Sequence, residues 1–162
     1  MPTRWRVWVL ATVAVAVLTS GPTVAGERLA GPIPARVLSV IDGDTVEVRA
    51  RVWLGHEVRT RVRLAGIDAP ELRGKCAHET RLAAQARDFL TARLLVGPET
   101  VLLREVRYGK FAGRVLARVE TTNGGDLGRD LVDAGLAVPY DGRTRPVWCA
   151  RAGEPDAPAA DG

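Results

Sequence analysis

Two alternating stretches separated by a short turn constrain the fold of this 162-residue chain more than any other feature. At residues 45–52, and again at 57–65, apolar and polar residues alternate, which predicts two half-buried β-strands. The turn at 53–56 between them predicts an antiparallel hairpin. A further strand is predicted at 35–40, and the turn signal Asp42-Gly43 joins it to the hairpin as a three-stranded meander.

The period of the apolar residues changes after this meander. Residues 77–96 carry apolar side chains at helical spacing, and Gly97-Pro98 predicts the end of this helix. Two more strands are predicted at 100–106 and 113–120, followed by a short helix with Asp126 as its N-cap. This element order is typical of an α+β fold, a five-stranded OB-type barrel with a long helix between strands 3 and 4 and a short helix after strand 5.

The first 25 residues have the pattern of a signal peptide. Arg4 and Arg6 precede an apolar run at 7–18, and small residues at 23–25 have the look of a cleavage site. An uncleaved anchor is the alternative, although the run is short for a membrane span. We therefore expect a secreted or periplasmic protein without stable membrane association after cleavage. Residues 26–34 are expected to be a linker, 35–149 the folded domain and 150–162 a disordered tail.

The chain has two cysteines, Cys76 and Cys149. An even pair in an exported chain favours a disulfide, which would tie the end of the domain to the start of the long helix. Two unrelated buried thiols are the alternative interpretation.

Composition sets wider limits on the function. A hydrophobic content of 46% and a charged content of 26% are ordinary for one globular domain, which we expect to be a monomer. The net charge of +4 permits a polyanionic partner such as nucleic acid but does not require one.

Two acidic turns stand at the ends of predicted strands. Asp42-Gly43-Asp44 lies between the first two strands, and Asp68-Ala69-Pro70-Glu71 follows the third. Hard cations such as Ca²⁺ prefer carboxylate oxygens, and the loops at one end of a small barrel could bring Asp44 and Asp68 together. Either motif alone is most often a simple turn, but the two together indicate a metal site.

Two arginines are candidate phosphate-binding residues. Arg63 lies five residues before Asp68, and Arg114 stands at the start of the fifth strand. Guanidinium groups beside a metal site suit the extra negative charge of a phosphodiester transition state. Arg59 and Arg61 share the predicted face of Arg63, and we interpret them as a solvated basic surface.

Three stretches resemble the thermonuclease family, the staphylococcal nuclease-like proteins: VIDGDTV at 40–46, RLAGIDAPE at 63–71 and GRVLA at 113–117. The resemblance extends from residue 35 to about residue 140. It implies a Ca²⁺-dependent endonuclease on an OB-fold barrel, which cleaves DNA and RNA to products that carry 3′-phosphates. A catalytically silent barrel that binds nucleic acid or protein is the alternative, and the joint presence of the charged residues favours the enzyme.

The resemblance also implies a role for each matching acidic residue. Asp44 and Asp68 would be carboxylate ligands of Ca²⁺, and the backbone carbonyl of Ala69 would be a third ligand. Asp42 would support them from the outer shell. Glu71 would act as the general base or orient the attacking water.

Among the basic and aromatic residues, the resemblance implies that Arg63 and Arg114 hold the phosphate. The sequence Tyr108-Gly109-Lys110 offers a competing alignment, in which Lys110 is the second phosphate-binding cation. Tyr108, Phe111 and Tyr140 are candidates for stacking on the nucleotide, with simple packing as the alternative for each.

Overall fold

The structure is a computed structural model, and it describes residues 26–95, 100–110 and 113–149. The expected signal peptide at 1–25, the expected helix end at 96–98, Phe111 and the expected tail at 150–162 lie outside these residues, so those expectations stay predictions. Among the described helices, none combines the length and the apolar character that a membrane crossing requires.

Eight strands and two helices follow one another in the described residues. They are β1 (Arg28–Leu29), β2 (Ile33–Asp42), β3 (Thr45–Trp53), β4 (His56–Leu64), β5 (Ile67–Asp68), α1 (Ala77–Leu95), β6 (Thr100–Tyr108), β7 (Arg114–Thr121), α2 (Leu127–Asp133) and β8 (Val138–Pro139). The longer elements follow the predicted order.

Five of these strands close into a barrel. β2, β3 and β4 form an antiparallel meander, in which Val46 of β3 lies opposite Val62 of β4. β6 pairs antiparallel with both β2 and β7, and β7 pairs in parallel with β4, which joins the two edges of the sheet. The closed barrel, with a helix between its third and fourth strands, confirms the predicted OB-type α+β fold.

The interior of the barrel is filled by one face of each strand. Its buried residues include Ala35, Val37, Val46, Val48, Ala50, Val62, Leu64, Val101, Leu103, Ala117 and Val119. α1 contributes Leu90 and Leu94 to the same core, and α2 contributes Leu127 and Leu131. The alternate residues of the strands point outward, which leaves them available for a charged surface.

The differences from the predicted elements lie at their ends. β2 begins at Ile33, two residues before its predicted start, where it pairs with β6. Residues 26–34, expected to be a linker, also contain β1, which pairs with β6 beyond the part of β6 that pairs with β2. Pairing with a strand some 70 residues away is a tertiary effect, and a two-residue strand carries no periodicity that would predict it.

Helix α1 supports the turn between β2 and β3. Gly43 stands in this turn at a point where an added Cβ atom would lie 2.7 Å from the Cβ atom of Ala86 in α1. Helix and turn are therefore in direct contact, and any larger residue at position 43 would push them apart. β5 pairs with β8 through Asp68 and Val138, which brings the C-terminal segment beside the end of β4.

Candidate active site

The turn that carries Asp42 and Asp44 is fixed by its own hydrogen bonds. The backbone N–H of Gly43 donates to Asp42 Oδ1 over 2.8 Å, a contact that closes the tight turn. The backbone carbonyl of Asp44 accepts the N–H of Leu64 over 2.8 Å, which ties the turn to the end of β4. The start of β3 and the end of β4 therefore hold Asp44 and Arg63 side by side, as the pairing of Thr45 with Arg63 requires.

Arg63 joins the two predicted metal ligands. Its Nη1 atom lies 2.5 Å from Asp44 Oδ2, and its Nη2 atom lies 2.8 Å from Asp68 Oδ1. Asp44 is 3% exposed and Asp68 is 0% exposed, so both carboxylates are buried around a single guanidinium group. The two acidic turns, 24 residues apart in sequence, thus converge on one point, as their positions at strand ends predict.

Two residues from the C-terminal segment complete this cluster. Arg145 Nη2 lies 2.6 Å from Glu71 Oε1 and 3.2 Å from Asp68 Oδ1, and Arg145 Nε donates to the same Asp68 oxygen over 3.3 Å. The indole N–H of Trp148 donates to Asp68 Oδ2 over 3.3 Å. Glu71 is therefore linked to the acidic cluster through Arg145.

The electrostatics of the cluster follow from its burial. The pKa of Asp42 is raised to about 6, chiefly by burial and in smaller part by the neighbouring Asp44 carboxylate, against the opposing hydrogen bond from the N–H of Gly43. Burial also raises the pKa of Asp44, against the opposing effect of Arg63. The hydrogen bond to Glu71 raises the pKa of Arg145, so this guanidinium remains charged. Burial disfavours the charged form of these carboxylates, so a further cation nearby would stabilise them.

An open cavity of about 750 Å³ lies against the acidic cluster. The basic residues that line it are Arg61, Arg63, Arg107, Lys110, Arg114 and Arg145. Asp68, Glu71 and Asp141 are its acidic lining residues, so the wall has an excess of positive charge. This distribution suits a polyanion that binds beside the buried carboxylates.

Some of the remaining predicted residues line the cavity and others do not. Arg61 is exposed as predicted but also lines the cavity, beside Arg114 in the parallel register of β4 and β7. Tyr140 and Lys110 line the cavity as well, and Lys110 Nζ donates to the carbonyl of Gly142 over 3.4 Å. Tyr108 is exposed and is not among the lining residues, so the geometry brings Tyr140 rather than Tyr108 to the site.

The oxygen donors of the cluster fit a hard cation. Asp44 and Asp68 already share one positive group, and carboxylate oxygens are the ligands that Ca²⁺ prefers. Ala69 follows Asp68 directly, and its N–H faces Asp44 Oδ2 at 3.5 Å. The roles of its carbonyl and of Asp42 stay predictions.

A second group of potential ligands lies nearby. Within the described residues, Cys76, Glu79 and Cys149 are the only three His, Cys, Asp or Glu residues whose ligand atoms all lie within 4.8 Å of one another. Cys76 and Cys149 form a disulfide, with Cα atoms 5.9 Å apart, so their sulfur atoms are not available as thiolate ligands. The acidic cluster is thus the better cation site, although it offers two converging carboxylates rather than three.

Comparison with known proteins agrees with this geometry. The model of the family described as "Staphylococcal nuclease homologue" matches residues 61–150, which is more than half of the chain. The chain belongs to the staphylococcal nuclease homologue family. The matched residues include Arg63, Glu71, Arg114 and Arg145. The turn at 42–44 precedes it, so the assignment of Asp44 rests on its contact with Arg63 and on the sequence resemblance.

Two relatives of this staphylococcal nuclease homologue are described as "Uncharacterized endonuclease", one from Escherichia coli and one from Escherichia coli O157:H7. Each is 30% identical over 113 residues, which are 70% of this chain. The alignment spans 65% of the length of either relative.

In this staphylococcal nuclease homologue, Arg145 and Trp148 are site residues that the sequence motifs do not predict. They lie in an irregular segment with two prolines and no periodicity. The signal that could have found them is Cys149, because a disulfide to Cys76 draws residues 145–149 toward the loop that carries Glu71.

Proposed function

We propose that this chain is an exported, Ca²⁺-dependent endonuclease that hydrolyses phosphodiester bonds of DNA and RNA and leaves 3′-phosphates. The proposal is supported by family membership and by one observation above all. Arg63 is bound by both Asp44 and Asp68, and it faces a basic cavity that also contains Glu71. A buried carboxylate pair bound to one arginine, next to a cavity that this arginine and a partly exposed carboxylate line, supplies the groups that metal-assisted phosphodiester hydrolysis needs.

The acidic residues divide into two roles. Asp44, Asp68 and the carbonyl of Ala69 would hold Ca²⁺, which supplies Lewis-acid stabilisation of the phosphate charge when it is bound. Glu71 is partly exposed at the cavity wall and takes the proton of the attacking water. The oxygen of this water bonds to phosphorus while the bond from phosphorus to the 5′ oxygen breaks, and the released 5′-hydroxyl takes its proton from solvent.

Two arginines from neighbouring strands hold the phosphate. Arg63 of β4 and Arg114 of β7 both line the cavity, and their strands run parallel side by side. Guanidinium groups donate paired hydrogen bonds to the non-bridging oxygens, and these bonds strengthen as negative charge accumulates at phosphorus. Lys110 lines the same cavity and adds a compact positive charge.

The first test measures cleavage and its metal requirement. Purified protein is incubated with fluorescently labelled single-stranded DNA and RNA, with added Ca²⁺ or with a calcium chelator. We expect cleavage with Ca²⁺ and loss of cleavage with chelator, and Ca²⁺ should raise the melting temperature by a few degrees because it binds the folded state. A folded protein that binds these oligonucleotides without cleaving them would instead be the silent binding module.

The second test uses variants of the acidic residues. Glu71→Gln should lower kcat by about 100-fold or more, since a positioned base contributes at least this much, while its melting temperature stays close to wild type. Asp44→Ala should lose both cleavage and the Ca²⁺-induced rise in melting temperature. Asp133→Ala is the matched control, because Asp133 is exposed at the end of α2. Normal cleavage by Glu71→Gln would contradict the role of Glu71.

Export is supported by the signal pattern at 1–25 and by the disulfide. Mass spectrometry of the protein from cell fractions tests it. We expect a chain that begins near Gly26, found outside the cytoplasm with no free thiol. A full-length, reduced protein in the cytoplasm would contradict this part of the proposal.

A further inference from the structure

The segment 140–149, named the C-terminal strap here, crosses the acidic cluster and is held at both ends. At its start, the N–H of Tyr140 donates to the carbonyl of Gly66 over 2.8 Å. At its end, Cys149 is bonded to Cys76 just before α1. Between these anchors the strap turns Arg145 and Trp148 toward Asp68. A segment fixed at both ends presents its side chains in a defined position.

Arg145 reaches the same atom that orients Arg63. Asp68 Oδ1 accepts from Arg63 Nη2 at 2.8 Å and from Arg145 Nη2 at 3.2 Å. The two guanidinium groups therefore converge on one carboxylate oxygen from different parts of the chain. The side chain of Arg145 is still 52% exposed and lines the cavity, so a ligand in the cavity can touch it.

The net charge of the cluster depends on Arg145. Four carboxylates carry four negative charges when ionised: Asp42, Asp44, Asp68 and Glu71. Arg63 and Arg145 carry two positive charges, which leaves two negative charges for a divalent cation to balance. Without Arg145 the metal-loaded cluster of these groups would keep one negative charge and would repel a phosphodiester.

We propose that Arg145 is a third substrate-binding arginine, which donates to a phosphate of the bound nucleic-acid strand. The proposal rests on the nuclease function proposed above. Glu71 and Asp68 hold the guanidinium group ready in the absence of substrate, and the disulfide fixes the strap that carries it. The planar fork of arginine suits paired contacts to phosphate oxygens.

Arg143 provides a matched control in the same strap. It lies two residues before Arg145, is 87% exposed at its side chain, and pairs with Asp141 at 3.4 Å. It is not among the residues that line the cavity. Removing Arg143 changes the net charge as much as removing Arg145 does, without touching the cluster.

The experiment compares wild type, Arg145→Ala, Arg145→Lys and Arg143→Ala on a labelled single-stranded DNA oligonucleotide with saturating Ca²⁺. We expect Arg145→Ala to lower kcat/KM by about 10- to 100-fold, as loss of a charge-assisted phosphate contact predicts. Arg145→Lys should recover part of this loss, and Arg143→Ala should stay within about twofold of wild type.

A salt series gives a readout that a purely structural role would not change. The logarithm of kcat/KM is measured against the logarithm of NaCl concentration. Loss of one phosphate contact on a single strand should reduce the steepness of this plot by about 0.7 for Arg145→Ala. The slope for Arg143→Ala should match wild type.

A second variant tests the role of the strap. Cys76→Ser/Cys149→Ser frees one anchor, and we expect a loss of kcat/KM in the same direction when it is assayed well below its melting temperature. Adding Arg145→Ala to this variant should cost less than it costs in wild type, because both changes remove the same contact.

The outcomes separate this proposal from the function on which it rests. If wild type does not cleave, the proposed nuclease function fails and the role of Arg145 fails with it. If wild type cleaves, Arg145→Ala with unchanged or higher kcat/KM, or an equal loss in Arg143→Ala, overturns the role of Arg145 alone.

Discussion

Glu79 is a buried carboxylate beside the candidate site, and it is only 8% exposed. Its Oε2 accepts the N–H of Lys75 over 2.9 Å, and its Oε1 lies 3.4 Å from the N–H of Glu71. Gly74 packs closely against the Glu79 side chain, since an added Cβ atom at Gly74 would lie 2.6 Å from Glu79 Cγ. Glu79 therefore holds the loop that carries Glu71.

Replacing Glu79 tests this role. Glu79→Ala removes the acceptor of the Lys75 and Glu71 N–H groups and should lower the free energy of unfolding by about 2 kcal/mol, measured by urea denaturation. Glu79→Gln keeps one carbonyl acceptor and should lose less. Asp88→Ala, at an exposed position of the same helix, is the control. A Glu79→Ala variant as stable as wild type would show that the loop does not depend on this carboxylate.

Single residues differ in how well the sequence predicts their position. Asp44, Asp68 and Arg63 stand at the ends of alternating strands, so the barrel brings them together, and the sequence predicts this. Arg145 reaches the site only through tertiary closure of an irregular segment, and no local periodicity encodes such a contact. Glu79 lies at the start of a helix, where a sequence pattern alone indicates an ordinary first-turn acid.

Among the elements, α2 depends on a capping interaction that the sequence does predict. Asp126 is the N-cap, and its Oδ1 accepts from the N–H groups of Gly128 at 2.9 Å and Arg129 at 3.2 Å. The cap holds Leu127 and Leu131 in the core beside β7. A seven-residue helix has few other stabilising contacts of its own.

Asp126→Ala should therefore lower the free energy of unfolding by about 1 kcal/mol, and Asp126→Asn should cost much less because the amide oxygen still accepts these bonds. Chemical denaturation measures both. Asp133→Ala removes a negative charge at the other end of α2, where it opposes the helix dipole, and should change stability little. Equal losses from Asp126→Ala and Asp133→Ala would argue against capping.

The long elements can be predicted because their residues follow a strand or helix period. The exact ends of these elements cannot be predicted in this way. The sequences of β3 and β4 alternate over most of their length, and α1 buries Ala83, Ala86, Leu90 and Leu94 at helical spacing. β1, β5 and β8 have two residues each and exist only because a partner strand lies beside them. Their positions depend on the closed barrel, which local sequence does not describe.

At the scale of the whole molecule, the disulfide closes a long covalent loop that spans the second half of the domain. Cys76 and Cys149 are 73 residues apart, so the loop-entropy relation gives a stabilisation of about 4 kcal/mol. Cys76→Ser/Cys149→Ser should lower the melting temperature by about 10 °C or more, measured by calorimetry. Reductant should lower the melting temperature of wild type in the same way and leave the double variant unchanged. Equal melting of all three samples would contradict a stabilising disulfide.

The position of the strap in the chain affects the order in which the acidic cluster is assembled. Asp44 and Asp68 precede β6 and β7 in the chain, whereas Arg145, Trp148 and Cys149 follow them. During synthesis the carboxylates are therefore made before the C-terminal strap that contacts them. The complete cluster therefore requires both the closed barrel and the disulfide that fixes the end of the strap.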